Sequence, residues 1–454
     1  MVRAPAAAAR SGSPGPHVPF IAFRKEKLRN GLTVILHEDR SSPAAAIVVM
    51  YHVGSKNEVP GRTGFAHLFE HIIFKGSAHV GDGEHFSLLQ KFGASVNGST
   101  TEDRTNYYET VPPGCMELGL YLEADRMGSL LETLTQEKLD NQRDVVLNEC
   151  RQRYENQPYG TAHERMLGEL YPEGHPYRWP VIGYPEDLTR ATLDDVRAFF
   201  GTYYSPANAC IALAGAVDAG SAKGWIQEYF GRIRGGKPPR RPVVRRIQLR
   251  EERRLILEDR VHLPRLYLTW HTAPAFTRGD AVLDVLTDIL GSGKSSRLYK
   301  SLVVEHQIAQ SVDAYQHGLE RAGMTTIEVT ARPDVPLRAV EQSVLRELQR
   351  ISTDGVTPGE IQASLNSQES RFVGALTTAQ GRANLLATYH TLTGNPGNIN
   401  TELARYAHMR RAEVTQRARS LLSTPRVVLS VIPAGRRDLA AAITGIHGKR
   451  GRTA

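Results

Sequence analysis

Cysteine is scarce in this chain. Cys115, Cys150 and Cys210 are the only three among 454 residues. They are odd in number and too far apart for a disulfide framework or a Cys-based metal site, so each reads as a small buried apolar residue. Long apolar runs are missing too. Nothing approaches the roughly 20 consecutive apolar residues of a membrane span, and no membrane span is expected. The nearest thing to a leader, Arg3 followed by Ala4 to Ala9, is interrupted by Pro5 and stops at Arg10. That leaves no apolar core for a signal peptide. Residues 1–24 read as a disordered tail rich in Ala, Pro, Ser and Gly. A cytoplasmic location is expected, or a periplasmic or exported one if the true N-terminus carries a leader. A nucleotide loop is also absent. Gly291-Ser292-Gly293-Lys294-Ser295 looks like the end of a phosphate-binding loop, but the glycine needed five positions before Gly293 is Asp288.

What is present fits a globular protein of more than one domain. The chain is too long for one ordinary core. Its 41% hydrophobic and 23% charged residues are typical of soluble domains, and the net charge of +8 is moderate for this length. Most of the visible basic excess sits in Arg232–Arg254, with Gly235-Gly236, Pro238-Pro239 and no aromatic residue. Interleaved with Glu251 and Glu252, this stretch reads as a solvated linker, and no nucleic-acid partner is expected.

The chemistry concentrates in Gly64-Phe65-Ala66-His67-Leu68-Phe69-Glu70-His71-Ile72-Ile73-Phe74. Read as a helix, it puts Phe65, Leu68, Phe69, Ile72 and Ile73 on one side. His67, Glu70 and His71 fall on the other, within about 100° of arc. Two histidines at i and i+4 are spaced to hold one zinc ion, with Glu70 between them in reach of a water there. HxxEH is the inverted form of the HExxH zinc motif. A solvated polar helix face gives the same pattern. The candidate third ligand is Glu149, 149 − 71 = 78 residues past the second histidine, on a helix predicted from about Thr135 to Asn156. Spacing alone does not prove that the two helices meet. His52, His79 and His85 lack partner spacing and read as surface or hydrogen-bonded side chains.

Elsewhere Asn30-Gly31 predicts a hairpin and Ala44–Val53 a buried strand. Ser95–Tyr108 is strand-like, Leu118–Leu134 helical, and Thr192 a helix N-cap. Cys210–Val217 is an apolar strand. Beyond the linker, Leu266–Trp270 reads as a strand and Asp280–Leu290 as a helix. A helix over Arg411–Leu422 and a strand over Val427–Ile432 echo Asp195–Phe200 and Cys210–Val217 about 220 residues on, which suggests two related domains.

HxxEH with a glutamate some 78 residues later resembles the M16 (pitrilysin-type, inverzincin) zinc metallopeptidases. Gly54-Ser55, Glu58, Phe74-Lys75-Gly76, Asn97, Thr100, Asp103-Arg104-Thr105, Tyr107-Tyr108, Arg143-Asp144-Val145-Val146, His175-Pro176-Tyr177 and Tyr204-Ser205-Pro206 with Asn208 follow in the same order. The resemblance runs from about residue 25 onward. It implies an α+β chain of two homologous mixed α/β domains, each a mixed sheet packed with helices (the LuxS/mitochondrial-processing-peptidase type). The domains would cover 25–231 and 255–454, joined by the linker at 232–254, with the metal in the first only. It implies a Zn2+-dependent endopeptidase in which His67, His71 and Glu149 hold the metal and Glu70 activates its water. Peptide or unfolded polypeptide would be cut in an enclosed chamber. Substrate would add as a strand along Ala94, Ser95, Val96, Asn97 and Gly98, up to Thr101.

Two departures stand out. Where many members carry a further Glu seven residues before the third ligand, this chain has Gln142, which can orient a neighbour but not relay a charge. Where active members place an Arg and, seven residues on, a Tyr in the second domain, it has Val303 and Gln310. That implies a heterodimer whose homologous partner supplies the pair. The rival reading is a non-catalytic assembly subunit of the same family; a different metal-dependent hydrolase would share the zinc but not the peptide substrate.

Overall fold

The computed structural model describes residues 18–441 except 246; the first part of the expected tail, 1–17, lies outside them. Helices and strands alternate along the chain. The strands are β1 (Arg24–Lys27), β2 (Thr33–Glu38), β3 (Ala45–Tyr51), β4 (Ser95–Thr100), β5 (Thr105–Val111), β6 (Ala209–Gly215), β7 (Arg253–Asp259), β8 (Arg265–Thr272), β9 (Ala309–Gly318), β10 (Gly323–Ala331) and β11 (Val427–Pro433). The helices are α1 (Phe65–Ile72), α2 (Glu84–Gln90), α3 (Met116–Thr133), α4 (Gln136–Cys150), α5 (Ala162–Leu170), α6 (Pro185–Arg190), α7 (Leu193–Tyr203), α8 (Ala219–Tyr229), α9 (Arg278–Gly291), α10 (Leu337–Asp354), α11 (Pro358–Leu376), α12 (Ala379–Thr393) and α13 (Arg411–Ser423). None is long and apolar enough to cross a membrane, among the described residues.

Two compact units result. The first comprises residues up to Arg151, Gly174–Val244 and Ser367–Ala404; the second comprises Gln152–Glu173, Arg245–Asn366 and Arg405 onward. In the first, the strand order is β1-β2-β6-β3-β5-β4. β2 and β6 are parallel, whereas β3 pairs antiparallel with both β6 and β5, and β5 with β4. β3 and β6, buried along their whole length, are continuous apolar runs, as strands covered on both faces must be. Ile21 is also buried, and its N–H donates to Asn400 Oδ1 at 2.8 Å.

In the second unit the order is β7-β11-β8-β10-β9. β7 and β11 are parallel and the remaining neighbours antiparallel. Strand for strand, this repeats β2-β6-β3-β5-β4, so the echo in the sequence is a repeated sheet topology. Each sheet takes one covering helix from the far half of the chain. α12 packs on β3 and β6, and α5 packs on the equivalent β8 and β11. The mixed α/β architecture with two sheets packed against helices is as the sequence predicts.

Some boundaries differ from expectation. The strand-like stretch 95–108 is a hairpin, β4 and β5, turning through Thr101–Arg104 without a glycine or proline. Thr101 Oγ1 accepts from the backbone N–H of Asp103 (3.3 Å) and of Arg104 (3.2 Å), which replaces the usual turn chemistry. The helix predicted to Asn156 is α-helical to Cys150 and then widens to a π turn over Arg151–Glu155.

Candidate metal centre

The HxxEH segment forms α1, and its apolar face is packed on aromatic rings. Phe69 lies 5.8, 5.5 and 5.2 Å from the ring centres of Phe199, Phe200 and Tyr204 at the end of α7. Thr192 caps α7 with a reciprocal bond to Asp195, which fixes where those rings stand. The start of α1 is closed by Glu58. Its Oε2 accepts from Gly64 N–H at 2.9 Å and its Oε1 from Ala66 N–H at 2.8 Å, in the place where a helix leaves its first donors unsatisfied. Gly64, at φ +87°, adopts the left-handed turn that glycine alone enters without strain.

Opposite the aromatic face, the rings of His67 and His71 lie 4.9 Å apart at 71°. α4, capped at Thr135 by a bond from Lys138 N–H, brings Glu149 to them. Glu149 Oε2 is 3.3 Å from His71 Nε2 and 3.9 Å from His67 Nε2. One donor atom from each of the three falls within 4.8 Å of the others. Two imidazoles and a carboxylate are the donor set of catalytic zinc sites, and tetrahedral ligands at about 2.1 Å from a zinc ion lie ~3.4 Å apart. The donors therefore fit a zinc ion with small adjustment.

Glu70 sits beside this trio. Its Oε2 accepts a 2.6 Å hydrogen bond from Thr100 Oγ1. Burial raises its carboxyl above the usual range; the Thr100 bond and His71 oppose that, and Glu149 adds to it. A cleft of about 280 Å³ opens alongside, lined among others by Glu70, His71, Phe74, Phe86, Gly98 and Gln142. Gln142 is buried and donates to Asn141 Oδ1 at 2.7 Å. It also lines the cleft, beside Glu70 and His71.

Ala94, Ser95, Val96, Asn97 and Gly98 run into and along β4, the end strand of its sheet. Ala94 is buried; Ser95 and Asn97 are exposed. At Gly98 a side chain would be crowded: a Cβ would lie 3.1 Å from both Glu70 Cγ and the Tyr107 ring, so one of them would have to shift.

A second donor group was not foreseen. His85, Glu109 and Glu123 are all buried, with donor atoms within 4.8 Å. A cation already serves them. Arg126 forms a two-bond contact with Glu123 and lies 4.9 Å and 4.5 Å over the Phe74 and Tyr107 rings. His85 Nε2 is 2.8 Å from Glu109 Oε1. Burial pushes His85 down to about 3, and it is therefore neutral. A metal ion does not fit beside that guanidinium. The signal was present in the sequence: a Glu-x-x-Arg pair inside an otherwise apolar helix face. His79, by contrast, is exposed and paired with Asp125 at 2.6 Å.

Most of the chain is similar to known proteins. The family model described as Insulinase (Peptidase family M16) matches residues 33–175, and that described as Peptidase M16 inactive domain matches 190–368. The zinc protease PqqE of Helicobacter pylori is 29% identical over 367 residues, covering 80% of this chain and 82% of that protein. The uncharacterized zinc protease YmxG of Bacillus subtilis is 23% identical over 91% of this chain and 99% of its own. Among solved structures, a protease from Helicobacter pylori superposes with a TM-score of 0.86 at 25% identity, covering 91% of this chain and 100% of that one. An M16 inactive domain from Pseudomonas fluorescens, at 16% identity and a TM-score of 0.81, shares the fold. The names of these relatives support a metal-dependent peptidase role. With two family models spanning most of its length, this chain belongs to the M16 peptidase family.

Proposed function

We propose that this chain is a zinc-dependent endopeptidase in which His67, His71 and Glu149 hold the metal and Glu70 is the general base. The observation that carries the reading is the meeting of those three donors, with His71 and Glu70 lining one cleft. When bound, zinc would polarise the scissile carbonyl and bring the pKa of water at its open position toward about 7. Glu70 takes one proton from the attacking water as the oxygen adds to the carbonyl carbon. It returns that proton to the amide nitrogen as the C–N bond breaks. The substrate is a peptide or unfolded polypeptide lying as an added strand along the free edge of β4, from Ala94 to Gly98. That mode reads extended backbone and says little about side chains.

By the family resemblance an Arg and a Tyr would be expected at positions 303 and 310, which here are Val303 and Gln310, so the working enzyme in this reading is a heterodimer around an enclosed chamber, with the pair supplied by a homologous partner. The same two residues favour the second reading, a subunit that assembles without cutting.

Metal content of the purified chain, beside His71→Ala and Glu70→Gln and a quenched-peptide assay, separates the two. Zinc lost in His71→Ala, kept in Glu70→Gln, with cleavage in the wild type alone, supports the peptidase. Zinc without cleavage, restored by adding a partner bearing Arg and Tyr, supports the heterodimer. No zinc after reconstitution leaves the assembly subunit.

A further inference from the structure

β4 does more than offer an edge. Side chains two apart on a strand share a face, so Val96, Gly98 and Thr100 point the same way, toward α1, with which β4 packs. At 98 the missing side chain leaves space that Glu70 Cγ approaches to 3.1 Å of a would-be Cβ. At 100 the hydroxyl reaches Glu70 Oε2 at 2.6 Å. One position makes room for the carboxylate and the next on that face aims it.

The strand that does this is itself held firmly. Six residue pairs, Ser95↔Thr110 to Thr100↔Thr105, set its register on β5. On its other face Ser99 Oγ donates to Asn106 Oδ1 at 2.6 Å, and Arg104 Nη1 donates to the Ser99 carbonyl at 2.8 Å. The turn closes with Thr101 N–H on the Arg104 carbonyl at 2.9 Å. Thr100 Oγ1 is therefore a fixed donor. A glutamate side chain has three rotatable bonds, and only a fixed donor at its end selects one orientation.

We propose that Thr100 is a positioning residue for Glu70, coupling the edge strand to the orientation of the base. The proposal rests on the reading of Glu70 as the base. A substrate strand pairing with β4 would then bond to the same backbone that carries the Glu70 clamp, and the base would be aimed by the strand that receives the peptide.

The test compares Thr100→Val, which keeps the branched shape but not the hydroxyl, with Thr100→Ser, which keeps the hydroxyl. Crystal structures of both variants, zinc content, and kcat and KM on a quenched peptide with the complete assembly are measured beside the wild type. Expected are a reoriented or split Glu70 side chain in Thr100→Val only, unchanged zinc content in both, and a kcat lowered about tenfold to a hundredfold in Thr100→Val at little-changed KM. Thr100→Ser should stay near wild type. An unmoved Glu70 in Thr100→Val, or a loss not rescued by serine, overturns the proposal. If Glu70→Gln itself cleaves like wild type, the catalytic reading fails instead, while the crystal structures still decide whether Thr100 orients Glu70.

Discussion

Glu58 Oε1 accepts the backbone N–H of Ala66 at 2.8 Å, so a buried acid closes the first turn of the helix that carries both histidines. Its other oxygen accepts from Gly64, making one carboxylate serve two of the helix's open donors. Burial pushes Glu58 up to about 8, so Glu58→Ala should remove two ordinary acceptors and cost about 1–3 kcal/mol, at roughly 0.5–1.5 kcal/mol for each bond. Because α1 is only eight residues long, fraying its first turn reaches His67. Zinc affinity should fall along with the melting temperature, and isothermal titration together with thermal melts would show it. A variant that melts early but binds zinc as tightly as wild type would break that link.

The ligand set makes a sharper claim. His71→Ala and Glu149→Gln should each lower zinc stoichiometry, while Glu70→Gln, one residue from a ligand but not a ligand, should retain it. Mass spectrometry of dialysed protein reads this directly. Zinc should also raise the melting temperature of the wild type and not that of His71→Ala, since a ligand that binds only the folded state stabilises it.

Gly98→Ala should disturb the site without unfolding the chain. The added methyl would meet Glu70 Cγ and the Tyr107 ring, each at 3.1 Å. Tyr107 is buried and has little freedom to move, so the Glu70 side chain must give way. Peptide cleavage by the complete assembly should drop by about tenfold or more while the circular dichroism stays unchanged.

The buried Glu109–Glu123–Arg126 group predicts a pH effect on stability. Burial pushes Glu109 up to about 7, against the pull of Arg126. A carboxyl whose folded pKa lies above its unfolded one stabilises fully below the unfolded value. That contribution is lost as pH rises between about 4.5 and 7. Glu109→Gln mimics the protonated acid and removes the titration. The difference in stability between variant and wild type should therefore grow in the variant's favour across that window, by on the order of 3 kcal/mol. Parallel denaturant titrations at several pH values measure it; a difference independent of pH would show that Glu109 does not titrate there.

Much of this was legible in the chain. α1 announced itself because its apolar and polar residues segregate at helical spacing, and β3 and β6 because a strand buried on both faces needs an unbroken apolar run. His67, His71 and Glu149 could be named because metal chemistry demands particular residues. What could not be read depends on distance in three dimensions. Thr100 meets Glu70 across 30 residues and Asp187 meets Thr63 across 124, and no local pattern marks either pair. The β4–β5 turn was invisible because Thr101 and Arg104 build it without glycine or proline.

The exchange of covering helices bears on how the protein is made. All strands of the first sheet have been synthesised by Gly215, yet α12, which lies on β3 and β6, starts at Ala379, 379 − 215 = 164 residues later. At about 5–20 residues per second, that apolar sheet face waits on the order of ten to thirty seconds for its cover. The nascent chain is therefore a natural client for chaperones. Cutting at the basic linker would not release two finished halves, because the first would leave its lid behind and the second would lack α5.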